Sequence, residues 1–247
     1  YGGAIAVNAN ITATGGNILL DADLGSGVAT NLDGINVADN ITIQTVTSGD
    51  ITMIGRSTSG AVDDKSGFRA AANTVVSAAG ALSITGTCES SSETLSRGIN
   101  LIGTFSAVGD VTIRGNDNVA TAKDGLVFGG ASVSSTGGSI SLHTDGSSSI
   151  YGFGTNTLTA SNNISLNSNR IYFSSVSVDF DADGVVNILA ADGSTSFQVG
   201  FTLGSGISLD PGITGLTIGN TGNTKLVTID VPIAIAGPIS VYGGAIA

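Results

Sequence analysis

The sequence predicts an all-β fold: a right-handed parallel β-helix, a single solenoid segment over residues 1–247, with about nine coils of 20–33 residues and three short strands per coil. Three observations carry this. An alternating apolar triplet recurs along the whole chain behind a turn residue, the pattern of a short strand with one buried face. No segment shows the 3.6-residue period of a helix. The hexapeptide Tyr-Gly-Gly-Ala-Ile-Ala stands at residues 1–6 and again at 242–247, which sets a long period of 241 residues. The chain then holds one tandem period plus the first six residues of the next.

Composition agrees. The chain has 37 Gly, no Trp and 3 Pro, and its carboxylates are 17 Asp against 2 Glu. Asp suits turns and Glu suits helices, so the skew points away from helix. A net charge of −11 argues against a nucleic-acid partner, because phosphate binding needs clustered Lys and Arg. One cysteine, Cys88, rules out an internal disulfide framework. The longest apolar run, residues 231–239, holds Pro232 and Pro238 and is too short to span a membrane.

The first strand of each coil is the clearest. It appears as Asn17-Ile18-Leu19-Leu20, Asp50-Ile51-Thr52-Met53, Ala81-Leu82-Ser83-Ile84, Asp110-Val111-Thr112-Ile113, Ser139-Ile140-Ser141-Leu142 and Asn163-Ile164-Ser165-Leu166. Looser copies begin at Val186, Leu216 and Ile239. A second strand follows a variable polar stretch and is often led by glycine, at Gly34, Gly67, Gly98 and Gly125, with Ile150 and Ile171 opening equivalent segments. Third strands are expected over residues 41–45, 75–78, 105–108 and 131–134. Length varies mainly between the first and second strands, where a loop outside the stack tolerates insertion. A single such coil cannot bury its own apolar face, but stacked coils form a continuous core. Phe68, Phe128, Phe153 and Phe173, with Phe197 nearby, are expected to form a partial internal ladder. Right-handed coiling is expected because left-handed β-helices keep a stricter six-residue spacing.

The cadence of segments such as "GDITMIG", "GDVTIRG", "RGINLIG" and "DGLVFGGASVSSTGG" resembles the repeat regions of filamentous-haemagglutinin-like bacterial adhesins. The resemblance covers essentially the whole chain. It implies a secreted β-helical fibre at the bacterial cell surface, extending a stalk or joining cells to surfaces.

The sharpest chemical motif is Asp179-Phe180-Asp181-Ala182-Asp183-Gly184. Asp179, Asp181 and Asp183 at alternate positions are a candidate calcium turn, since hard cations take carboxylate oxygens. The plainer alternative is a solvated Asp-rich turn. A helix–loop–helix calcium site needs a Glu where this chain has Ala190. No cofactor is otherwise implied. His143, the only histidine, has no nucleophile elbow near it and is expected on the outward face just after a strand, without a catalytic role. Paired acids of the kind polysaccharide-cleaving β-helices use occur at Asp21 with Asp23 and at Asp63 with Asp64, in variable loops. Lys65, Arg97, Lys123 and Arg170 precede second strands, with Asp33 and Asp124 at similar positions; stacking would set them in a mixed charge ladder along one corner, and the plainer alternative is solvated turn residues. Asn10, Asn40 and Asn163 begin sequons but equally suit stacked turn positions.

These residues support a structural, non-enzymatic reading: a repeat segment of an extracellular bacterial fibre or adhesin. Its partners are copies of itself, as consecutive repeats in one chain or as head-to-tail subunits, with lateral fibre contacts or surface glycans in addition. The alternative is a β-helical polysaccharide-binding or polysaccharide-cleaving protein. An ice-binding solenoid is a third, because Thr52, Ser83, Thr112, Ser141, Ser165, Asn187, Thr217 and Ser240 align at the middle of the first strand.

Overall fold

The computed structural model describes residues 3–23, 32–58, 65–89, 97–117, 124–173, 177–191 and 194–247. The recurring triplets stack. Nine strands hydrogen-bond side by side in sequence order: Ile18–Ala22, Ile51–Thr58, Leu82–Glu89, Val111–Asp117, Ile140–Thr144, Ile164–Asn167, Val185–Leu189, Gly215–Ile218 and Ile239–Val241. All pair in parallel. The leading residues form one rank: Ile18, Ile51, Leu82, Val111, Ile140, Ile164, Val186, Leu216 and Ile239 are successive register partners. From Ile18 to Leu216 these residues are buried. The residue after each points outward, so Leu19, Thr52, Ser83, Thr112, Ser141, Ser165, Asn187, Thr217 and Ser240 form a second rank. The period of two in the strand produces both ranks.

A thirteen-stranded parallel sheet supplies the other two faces. Its second-face segments run Ile5–Val7, Ile35–Val37, Ser66–Ala70, the first part of Arg97–Ala107 and of Asp124–Ser135, then Ser149–Phe153 and Arg170–Phe173. Its third-face segments are Ile11–Ala13, Thr42–Thr45, Thr74–Ala78, the second part of the two long strands, Thr155–Ala160, Ser177–Ala182 and Ile207–Leu209. A separate three-stranded sheet, Phe201–Leu203, Leu226–Ile229 and Ala245–Ile246, takes over at the C-terminal end. The product is an all-β parallel β-solenoid of about seven turns. The expected nine coils appear as nine strands on the first face, whereas the solenoid has about seven turns. Ile5–Val7 and Ile11–Ala13 precede the first complete turn, and residues 231–235 form no strand. Pro232 lacks the N–H that a ladder there would need.

Two corners explain the sequence pattern. Before the first face, a side-chain oxygen bonds the next coil's backbone: Asn17 Oδ1 accepts from Asp50 N at 2.9 Å, Asp50 Oδ1 from Ala81 N at 2.8 Å, and Asp110 Oδ1 from Ser139 N at 2.8 Å. Asn163 Oδ1 accepts from Val185 N at 2.9 Å, so this sequon residue has a corner role. At the opposite corner the ends of first strands cross the starts of second strands backbone to backbone. A Cβ on Gly55, Gly86 or Gly115 would lie 2.0, 2.2 or 2.1 Å from the carbonyl oxygen of Gly67, Gly98 or Gly125. Only glycine fits that approach.

The expected phenylalanine ladder does not form. Phe68 is buried beside Ile35 and Ile99, Phe128 pairs with Leu101 and Gly152, and Gly152 separates it from Phe173. Phe153 points outward and is 41% exposed. Phe68, Phe105 and Phe180 are fully buried in the core, and Phe128, Phe197 and Phe201 are nearly so.

Candidate interaction surfaces

The third face presents two polar ranks. Thr12, Gln44, Ser77, Ser106, Ser134, Thr159 and Asp181 are successive partners in one. Thr42, Val75, Thr104, Ser132, Thr157, Asp179 and Ser208 form the other. Along Ser177–Ala182, Phe180 and Ala182 face the core, so Asp179 and Asp181 face out, with Asp183 exposed in the turn beyond. Alternate residues of a strand are spread by roughly 6.6–6.8 Å. The three candidate calcium ligands therefore lie along a line and do not wrap a point. Among the described residues, no group of three or more His, Cys, Asp or Glu side chains gathers as a metal site. Burial holds the Asp181 carboxyl above its ordinary value, and the charges of Asp210, Asp179 and Asp183 add to the effect. Asp181 and Asp183 line an open groove of about 230 Å³ together with Ser134, Ser135, Thr136 and Thr159.

His143 is not on the surface. It lies within the strand Ile140–Thr144 and is buried, with Nε2 2.6 Å from Asp145 Oδ1. Arg114, its register partner one coil earlier, grips the same carboxylate, with Nη2 2.7 and 2.9 Å from the two oxygens. Burial pushes the Asp145 pKa up, but the hydrogen bonds from Arg114 and His143 outweigh it and hold the carboxyl below its usual range. A second charge string runs Asp23–Arg56–Glu89 through three coils. The register alone brings these groups together.

The paired acids divide. Asp21 Oδ1 accepts from the backbone N–H of Asp23 at 3.0 Å, and Asp63 and Asp64 lie outside the described residues. Of the expected corner ladder, Arg97 pairs with Ser66, and Asp124, Ser149 and Arg170 are successive partners, while Lys123 lies outside the described residues. Asn40 and Asn73 stack in a turn at φ 62° and 57°, with Asn73 donating to Asn40 Oδ1 at 3.1 Å. Cys88 is buried and accepts a hydrogen bond from Ser57 at 3.3 Å.

An outward aromatic patch was not legible from the sequence. Tyr151 and Tyr172 are register partners, Tyr151 lies 6.1 Å from Phe153 between ring centres, and Tyr172 is 40% exposed. Tyr172 and Phe173 line a cleft of about 270 Å³ with Gly200, Thr202 and Ile207, where the second face passes from the long sheet to the three-stranded one.

The end strands complete the inventory. Among the described residues, Ile5–Val7 pairs with Ile35–Val37 alone, and Ala245–Ile246 with Leu226–Ile229 alone. Ile239 and Ile246 expose 45% and 58% of their surface. No helix among the described residues is long and apolar enough to cross a membrane. No protein-family model, curated protein or solved structure matches the chain.

Proposed function

We propose that this chain is a structural repeat segment of an extracellular bacterial fibre or adhesin of the filamentous-haemagglutinin-like kind, a right-handed β-helix whose coils stack end to end. The observation that carries the reading is the single rank from Ile18 to Ile239, nine residues in unbroken parallel register. Such a ladder transmits axial order from coil to coil. The partners are copies of itself, with lateral contacts or surface glycans on the hydroxyl ranks. The chain acts without catalysis, and calcium is the cation to test at Asp179, Asp181 and Asp183.

Electron microscopy of the native material tests the reading. One period places nine first-face strands at ~4.8 Å each, so a thin fibre with an axial repeat of roughly 43 Å is expected. Isolated particles with closed ends would return the weight to the second reading, a polysaccharide-binding or polysaccharide-cleaving solenoid. The aromatic cleft at Tyr172 and Phe173 favours that alternative, since sugar rings pack on exposed aromatic faces.

A further inference from the structure

The described residues of the two hexapeptide copies, 3–6 and 242–247, occupy the same place in the coil. Both form second-face strands: Ile5–Val7 in the first copy and Ala245–Ile246 in the second. They use opposite edges. In the first copy Ile5 N–H donates to Gly34 O at 2.8 Å and Val7 O accepts from Ala38 N at 3.0 Å, both toward the following coil. In the second copy Ala247 N–H donates to Val227 O at 3.1 Å and Ala247 O accepts from Ile229 N at 2.8 Å, both toward the preceding coil. Ala247 corresponds to Ala6 of the first copy. In a parallel strand alternate residues bond to alternate neighbours. Ile5 and Val7 forward and Ala6 backward are therefore the two halves of one fully paired strand, with no backbone group used twice.

The coil beneath that strand also explains its glycine. A Cβ on Gly244 would lie 2.2 Å from Thr224 O. Gly3 is the matching residue.

We propose that residues 242–247 open a second copy of the same 241-residue period within one polypeptide, joined through a coil of about twenty residues. This rests on the reading of the chain as a fibre segment and decides how its periods join. With the hexapeptide shared, Ile18 of the next copy falls twenty residues beyond Ile239 and extends the first-face rank. Ile11–Ala13 of the next copy passes over residues 231–235, where Val231, Ile233 and Ile235 already pack against the core. All three faces close. Separate chains laid head to tail would instead set Ile5–Val7 on top of Ala245–Ile246 as an extra layer. The first and third faces would then each lack one strand at the joint, leaving apolar core open.

The test is a two-period polypeptide, residues 1–247 followed by a second 7–247, with Ser240→Cys in the first copy and Leu19→Cys in the second. These outward positions become rank neighbours across the joint, within the Cα separation a disulfide accepts. Oxidation is expected to link them at least about tenfold faster than a control pairing Ser240→Cys with Thr52→Cys of the second copy, one coil further on. The same polypeptide should melt in one transition above that of the 247-residue chain, because a continuous solenoid gains one more coil interface. Equal linking rates, or two independent transitions, would overturn the proposal. So would efficient linking between separate 247-residue chains carrying Ala247→Cys and Ala6→Cys, the second-face positions that stacked subunits would lay on adjacent layers. The fibre reading fails separately: a correctly linked joint without fibres in the native material would spare the junction and sink the fibre, and fibres with an unlinked joint would do the reverse.

Discussion

The coils up to residue 135 and those from residue 140 onward turn the same corner in two ways. In the first region glycine faces glycine. Gly34, Gly67, Gly98 and Gly125 meet Gly55, Gly86 and Gly115 so closely that any Cβ would overlap backbone. In the second region side chains fill the corner. Thr144 Oγ1 donates to Ser168 Oγ at 2.7 Å, and Ser168 in turn donates to the carbonyl of Arg170 at 2.7 Å. Further on, buried Asn169 and Asn223 bridge coils, accepting from the backbone N–H groups of Ala191 and Phe197 and donating to the carbonyls of Gly146 and Tyr242. The glycine corner keeps two faces in tight contact and one sheet runs unbroken. After the polar corners at Thr144 and Ser168 the second-face strands Ser149–Phe153 and Arg170–Phe173 still join the long sheet, and from Phe201 onward the second face runs in its own three-stranded sheet, with a cleft at Tyr172. The solenoid tolerates a change of corner because each coil contacts only its neighbours.

Breaking the glycine corner should have the largest effect. A Cβ on Gly86 meets Gly98 O at 2.2 Å and the Ile99 side chain at 2.5 Å, so backbone must move. Gly86→Val is expected to cost on the order of 4 kcal/mol or to prevent folding. Gly204, beyond the sheet break, has only Thr202 Cγ2 near, at 3.8 Å. Gly204→Ala should change stability by no more than about 0.5 kcal/mol. Urea unfolding of the two variants beside the unsubstituted chain checks the contrast, and similar midpoints would mean that the corner is not a close contact.

The sequence showed the first-face ranks fully because each triplet carries its own turn residue, so register needs no knowledge of loop length. All nine leading residues, Ile18 to Ile239, fall where the pattern sets them. The phenylalanine ladder failed through parity. Phe128 and Phe173 lie two residues after Leu126 and Ile171 and share their face, whereas Phe153 lies three after Ile150 and turns outward. The Asp179–Asp183 motif looked like a loop, but Val178 and Phe180 pair as strand residues with Ile207 and Leu209, which draws the carboxylates out along a line. His143 was misplaced because Arg114, Asp145 and the coil-to-coil register that unites them are 31 residues apart in sequence. The change of sheet at Phe201 depends on which coil offers the hydrogen-bond partner, and a local pattern does not contain that.

A smaller effect sharpens the comparison at the boundary between the two regions. Asp145 is held below its usual pKa, against burial, by Arg114 and His143. A carboxylate with a depressed folded-state pKa stabilises the fold above its unfolded value, near 3.9, and loses that contribution as pH falls through the folded value. The carboxylate is 40% exposed, so the energy belongs to the range of exposed pairs, about 0.2–1 kcal/mol. Asp145→Asn should therefore lower the urea midpoint at pH 7 and leave it unchanged near pH 2. A difference of equal size at both pH values would mean that the ion pair is not its source.

Asp181 should behave in the opposite sense, and more weakly. Its folded-state pKa is raised by burial and by Asp210, Asp179 and Asp183. The folded chain then binds this proton more tightly than the unfolded chain, so the ionised carboxylate opposes folding at neutral pH. That cost disappears as pH falls through the raised value toward the unfolded one. Asp181→Asn is expected to raise the melting temperature slightly at pH 7, with the gain fading in acid. Calcium should act on the same strain. An ion lying along the Asp179–Asp181–Asp183 line would relieve the repulsion, so millimolar calcium should raise the melting temperature of the unsubstituted chain more than that of Asp181→Asn. If calcium moves neither, the three carboxylates are a solvated edge of the hydroxyl face, and their mutual repulsion is simply borne by a strand whose Phe180 is fully buried on the other side.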